Sequence, residues 1–297
     1  MKIRLMSGAV YVLLLVVFFC LKVFLPYGDF YFDALLYVFA WLGTFEMLRA
    51  VKEKMTKAER CVVYTFTAVT IPACVVFQQF FSLGFSVFAI CVFALAVALL
   101  SLLVIRYDET SLENLGLGFL SAVYPTVFLT VMALMNHAVA PLALQEFGFD
   151  SRILILFVFV VSPCSDSIAY VFGCSMGKRF PKKMAPKLSP KKTVIGGVGG
   201  LVGGVLGAAT LYFIYNAVAG SFQQMYIWLP VYLAIGLVAS VATMFGDLVE
   251  SCIKRKVGLK DMGNIMPGHG GALDRLDSVF FSTVVVYFAF ALITWIV

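Results

Sequence analysis

The chain has 297 residues, 62% of them hydrophobic and 13% charged, with 22 Lys and Arg against 16 Asp and Glu for a formal charge of +6. That composition lacks the polar surface a soluble globule of this size needs, so it excludes a soluble domain and describes an integral membrane protein. No soluble segment is large enough to present a nucleic-acid groove, and the 7 cysteines, scattered without a Cys-x-x-Cys pair, point to neither zinc nor a disulfide framework.

Nine segments, near residues 8–26, 30–49, 61–81, 84–105, 115–136, 153–174, 196–216, 226–246 and 278–297, reach the ~20 apolar residues that cross a ~30 Å hydrocarbon core. The expected fold is all-α, a polytopic membrane protein with about nine transmembrane helices. Lys and Arg gather in alternate connections: Lys2 and Arg4, then Arg49 to Arg60, Arg106, Lys178 to Lys192, and Lys254 to Arg275. Only Lys22, near enough to a helix end to snorkel, and Arg152 lie on the other side. The positive-inside rule therefore places the amino terminus in the cytoplasm and the carboxyl terminus outside.

Residues 1–150, with about five spans, read as a scaffold nearly free of chemistry. Glu46 is expected to pair with Arg49 one turn on, and His137 to be a surface histidine. The region 151–297, with its cytoplasmic loops 175–195 and 247–277, reads as catalytic. Asp166 sits in an apolar span among Ser162, Ser165 and Ser167, whose hydroxyls can reach its carboxylate, and an ionisable group at that depth is a functional hypothesis by default. Ser189-Pro190-Lys191-Lys192-Thr193 precedes the glycines of the seventh span and can aim hydroxyls, ammonium groups and backbone N–H groups at a phosphate. Gly196, Gly200 and Gly204 form one helical row and Gly199, Gly203 and Gly207 a second. Such rows let helices approach closely and permit a homodimer.

The densest charge lies last. Asp247, Glu250 or Ser251, and Lys254 share one face if the eighth helix continues past the membrane edge. Asp274, Asp277 and Ser278 share a face at the start of the ninth. The connection between them holds Lys260-Asp261 and Pro267-Gly268-His269-Gly270-Gly271. Carboxylates are hard ligands for Mg2+, Lys and Arg neutralise phosphates, and the glycines let backbone N–H groups approach an anion at a helix start. The constellation suits phosphate chemistry.

Ser251, Ile253, Lys254, Arg255, Lys260, Asp261, Gly263, Pro267, His269, Gly270, Gly271, Asp274, Arg275 and Asp277, at these spacings, resemble the signature of the phosphatidate cytidylyltransferases, or CDP-diacylglycerol synthases. Asp166 to Tyr170 and Ser189 to Thr193 are similar to two further motifs of that family, so the likeness covers about residues 162–280. Ile195 departs from a glutamate frequent there, and Ala272 from a bulkier aliphatic residue.

The resemblance implies that phosphatidate attacks the α-phosphorus of CTP to give CDP-diacylglycerol and pyrophosphate. It implies catalytic roles for Asp247, Asp274, Asp277, Lys254, Arg255 and Arg275. Substrate contacts would come from Asp166, Ser189, Lys191, Lys192, Thr193, Lys260, Asp261, His269, Gly270 and Gly271. Asp247 and Asp274 would hold Mg2+, with room for a monovalent cation beside it. The active site is expected on the cytoplasmic face of a bacterial inner membrane. Two other readings compete: another membrane transferase acting on a lipid phosphate, and an ion-coupled transporter with Asp166 and the glycine-rich span on a midplane path.

Overall fold

Without water to hydrogen-bond the backbone, an apolar span must satisfy its peptide groups internally, and these segments do so as helices. The computed structural model describes residues 2–139, 141–145, 149–219, 224–266, 268 and 270–296. In chain order the helices are α1 (Lys2–Phe24), α2 (Gly28–Ala50), α3 (Lys57–Phe81), α4 (Gly84–Ile105), α5 (Leu112–Ala122), α6 (Phe128–Asn136), α7 (Leu142–Gln145), α8 (Ser151–Met176), α9 (Val194–Ala219), α10 (Met225–Lys256) and α11 (Leu273–Ile296). A π-helical turn, Val123–Val127, joins α5 to α6 into one span around Pro125. Among the described residues, 9 helices are long and apolar enough to cross a membrane.

The packing divides the chain into two units, Met1–His137 with Val257–Arg275, and Ala138–Lys256 with Leu276–Val297. The connection after α10 thus packs with the amino-terminal helices, a different division from the one at residue 150 drawn from composition.

In the first unit, α2 is the central element, burying Phe32, Leu36, Phe39 and Met47. Polar residues make its specific contacts. Thr44, Thr67 and Thr126 form a fully buried triad with Oγ1 separations of 2.9, 2.8 and 3.3 Å, tying α2 to α3 and to the π-turn. The start of α3 is a capping box: the Glu59 N–H donates to Thr56 Oγ1 and the Thr56 N–H to Glu59 Oε2.

Lys22 does not snorkel. It is 5% exposed, paired with Asp29 and donating to the Asn136 carbonyl, because a buried acceptor set is present where a free lysine would have reached for water. His137 is likewise buried rather than on the surface. Its Nε2 lies 2.6 Å from Asp33 Oδ2 and its Nδ1 3.0 Å from Gln79 Oε1, and Asn136 Nδ2 donates to Asp33 Oδ1. The scaffold therefore carries a buried ionic network that its hydropathy conceals.

In the second unit, the glycine rows account for the packing of α9. A Cβ on Gly199 would lie 2.6 Å from Phe172 Cβ, and one on Gly203 2.5 Å from the Cys164 carbonyl, so that row admits α8. A Cβ on Gly204 would lie 2.4 Å from Ser240 Cβ, so the other row admits α10. Both rows are filled by the chain's own helices, which removes them as a surface for a homodimer. Ser162 Oγ, 3.1 Å from Thr243 Oγ1 and 2.8 Å from Ser282 Oγ, joins α8, α10 and α11.

The basic segment after α8 is not a plain loop. It forms an antiparallel hairpin of β1 (Lys183–Ala185) and β2 (Ser189–Thr193), with Lys183 opposite Thr193 and Ala185 opposite Ser189. These strands are a small addition to an otherwise helical chain.

Candidate active site

α10 does continue past its apolar stretch, to Lys256, and puts Asp247, Glu250 and Lys254 along one face. In the second unit this face meets α11 closely. A Cβ on Gly246 would fall 2.4 Å from the Asp277 carbonyl oxygen, so only glycine lets the two helices approach beside Asp247. Asp277 lies near enough to Asp247 for their charges to repel, and accepts from the Ser278 N–H at 2.8 Å. Glu250 is fully buried and paired with Lys254.

Asp166 of α8 joins the same group. Its partner is Ser278 Oγ, which donates to Oδ2 at 2.9 Å, rather than the neighbouring serines of its own helix, and Asp247 and Asp277 are both close enough to act on it electrostatically. Lys192, at the end of β2, answers two of these acids: its Nζ is paired with Asp247 Oδ2, and it lies near enough to Asp166 to attract it. The hairpin carries the lysine to the acids. Thr193 is buried and its Oγ1 accepts from the Gly196 N–H at 3.1 Å, capping α9. Ser189 is half-buried and Lys191 exposed.

In the first unit the connection into α11 is held by two carboxylates. Asp274 Oδ2 accepts from the N–H groups of Met262 (2.9 Å) and Gly271 (2.7 Å). Glu46 reaches the next two amides: Oε1 accepts from Ala272 N–H at 2.9 Å and Oε2 from Leu273 N–H at 3.0 Å. Gly270 has φ +90°, and a Cβ there would lie 2.6 Å from Asp274 Oδ2, so both conformation and space require glycine. The helix start thus does hold anions, as a helix N-terminus favours, but they are the protein's own.

Glu46 was expected to serve Arg49. Arg49 remains close enough to attract it, but donates from Nη2 to the Met262 carbonyl at 3.4 Å, while the carboxylate itself goes to residues 226 and 227 positions away. No local signal announces such a partner. Its only trace is a glutamate inside an apolar span and glycines at 263 and 271, where a Cβ would lie 2.1 and 2.3 Å from Glu46 Oε1.

Lys260 and Asp261 are exposed on the same connection, as is Arg255 at the end of α10. Arg275 has its Nε buried without a hydrogen-bond acceptor among the described residues. Pro267 and His269 lie outside the described residues, so the substrate contact expected of His269 is not placed.

Among the described residues no three His, Cys, Asp or Glu side chains form a group able to hold a metal by themselves. Mg2+ asks for less, since it usually takes one or two carboxylates and fills its octahedron with water and substrate phosphates. The donors suit it. Asp247, with a lysine ammonium on one oxygen, sits where a cation is already favoured, and Asp274 is oriented by two amides on Oδ2.

The model of a family described as the cytidylyltransferase family matches residues 2–293. A protein named phosphatidate cytidylyltransferase from Bacillus subtilis is 34% identical over 299 residues, covering 98% of each chain. One of the same name from Staphylococcus aureus is 36% identical over 128 residues, 43% of this chain and 45% of its own. Another, from Helicobacter pylori, is 65% identical over 48 residues, 16% of this chain and 18% of its own.

Proposed function

The chain belongs to the cytidylyltransferase family, and from that premise we infer that it makes CDP-diacylglycerol from CTP and phosphatidate. This replaces the readings as another transferase acting on a lipid phosphate and as an ion-coupled transporter. A phosphatidate oxygen attacks the α-phosphorus of CTP, the bond from that phosphorus to the bridging oxygen breaks, and pyrophosphate departs with the electron pair. Phosphatidate is already anionic at neutral pH, so no general base is required. The work of the protein is to bring two anions together and to balance charge on the leaving group.

The observation that carries this reading is the family match along nearly the whole chain, together with the gathering of Asp166, Asp247 and Asp277, with Lys192 paired to Asp247. Asp247 and Asp274 would hold Mg2+, with a monovalent cation in the same proposal. When bound, the metal supplies positive charge to the triphosphate. Asp277, with its Ser278 contact, and Asp166, through Ser278, keep the acid group in place.

Lys191, Lys192, Lys254, Arg255 and Arg275 neutralise phosphate oxygens, with the Arg275 Nε offering a donor that lacks an acceptor among the described residues. Ser189 and Thr193 contribute hydroxyls. Lys260, Asp261, His269, Gly270 and Gly271 form the connection that receives substrate. The lipid comes from the bilayer and CTP from water, which places the reaction where helix ends meet headgroups. The distribution of lysine and arginine supports a cytoplasmic side for that face, and the bacterial relatives support the inner membrane of a bacterial cell.

Purified protein in detergent, given phosphatidate, labelled CTP and Mg2+, is expected to form CDP-diacylglycerol with an equal amount of pyrophosphate. A divalent chelator should stop the reaction and excess Mg2+ restore it. Pyrophosphate release that ignores phosphatidate, or turnover in the presence of chelator, would reject the reading.

A further inference from the structure

We propose that Glu46, in the second span, is a positioning residue for cytidylyl transfer, setting the orientation in which α11 presents Asp274 and Arg275. The proposal rests on the activity inferred above. Helix starts are ordinarily capped by a neighbouring Ser, Thr, Asp or Asn. The residues before α11 are Gly270, Gly271 and Ala272, none of which has a side-chain acceptor. Glu46 takes that part from another helix, using both oxygens on consecutive amides.

Three consecutive N–H groups, of Gly271, Ala272 and Leu273, are therefore held by two carboxylates. One of those carboxylates belongs to Asp274. Its Oδ2 also binds Met262 N–H, and Arg49, one turn beyond Glu46 on α2, donates to the Met262 carbonyl. Glu46 and Arg49 thus grip the connection at two points, before and after its turn. Glu46 is fully buried, and Gly263 and Gly271 both lack the Cβ that would overlap its carboxylate. The acid and its seat are fitted to each other. Loss of one oxygen acceptor would leave an amide facing a donor, and the start of α11 would turn away from it.

Glu46→Gln tests this, since the isosteric amide keeps one acceptor and turns an NH2 toward the second N–H. A displacement of about 1 Å at reacting groups can cost about 10²-fold, so kcat is expected to fall about 10- to 100-fold. The KM for phosphatidate should stay within about 3-fold, because four of the five phosphate-neutralising cations, Lys191, Lys192, Lys254 and Arg255, lie outside the connection that Glu46 holds; that is well short of the 10-fold change that 1.4 kcal/mol represents. Limited trypsin digestion supplies a readout independent of turnover: cleavage after Lys260, on the exposed part of the connection, should be faster in the variant. Glu113→Gln, which alters an exposed acid paired with Lys54, should match the unaltered protein in both assays.

A role in stability alone predicts a lower thermal midpoint with kcat per folded molecule unchanged, and that result would overturn the proposal. So would a fall in kcat with cleavage at Lys260 unchanged. If Glu46→Ala does not fold, the Glu46→Gln comparison still decides. If the unaltered protein makes no CDP-diacylglycerol, the functional reading fails at that step. The cleavage rates then show separately whether Glu46 holds the connection, and equal rates would end the proposal.

Discussion

Replacing Gly271 with alanine changes one hydrogen to a methyl group, yet the structure predicts a large effect. The new Cβ would stand 2.3 Å from Glu46 Oε1, 2.4 Å from Oε2 and 2.5 Å from the carboxylate carbon. No real Cβ contact is so short, so the carboxylate or the backbone must move. The carboxylate is fixed by the Ala272 and Leu273 amides. Hydrogen bonds to a charged group contribute about 1.5–3 kcal/mol each, so losing both costs about 3–6 kcal/mol. At 1.4 kcal/mol per factor of ten, the correctly built helix start would be disfavoured by about 10²- to 10⁴-fold. If the backbone yields instead, the Gly271 N–H leaves Asp274, and the same site is disturbed by another route. The assay is kcat of the detergent-purified variant per folded molecule, with its thermal midpoint. Gly116→Ala is the counterpart: nothing lies within 4 Å of its Cβ position, and an exposed helical glycine replaced by alanine should gain about 0.8–1 kcal/mol. A Gly271→Ala variant with unaltered turnover and midpoint would refute the role given to Glu46's seat.

Asp247→Asn should lower turnover by a factor on the order of 10² to 10³, the typical effect of removing one electrostatic contact to the reacting group. Its midpoint should change little, because the relieved repulsion of Asp166 and Asp277 offsets the lost ion pair with Lys192, and circular dichroism with thermal melts would check this. Thr67→Val should behave in the opposite way. It removes the hydroxyl lying 2.9 Å from Thr44 and 2.8 Å from Thr126, but leaves those two 3.3 Å apart. The loss is about 1 kcal/mol, or about 2–4 °C in midpoint, with kcat per folded molecule unchanged.

The spans were legible because hydropathy is a local property, and each segment of about twenty apolar residues had no other stable home. Their ends were less so. α11 begins at Leu273 although its apolar run begins near residue 278, since Asp274, Arg275 and Asp277 fall among its first residues. Charge hid the helix there, while the carboxylates of Glu46 and Asp274 supplied the hydrogen bonds that start it. α10 was hidden in the same way beyond residue 246.

The acids and bases of the site could be named from spacing on α10 and α11 and from family likeness. What spacing could not reveal was which of them meet. Asp166 finds Ser278, 112 positions away, instead of the serines beside it. Lys192 reaches Asp247 because Lys183 to Thr193 folds into a hairpin, an element too short and too rich in proline and lysine to show a strand pattern. Glu46, expected to pair with Arg49, and Asp33 of the same helix are each tied to backbone or side chains more than a hundred positions on.

The most direct measurement of the central claim is lipid product formed by the purified protein from phosphatidate with each of the four nucleoside triphosphates in turn, at equal Mg2+. The account predicts CDP-diacylglycerol and pyrophosphate with CTP and little or no product with the others. Equal use of all four nucleotides, or no lipid product with CTP, would contradict it.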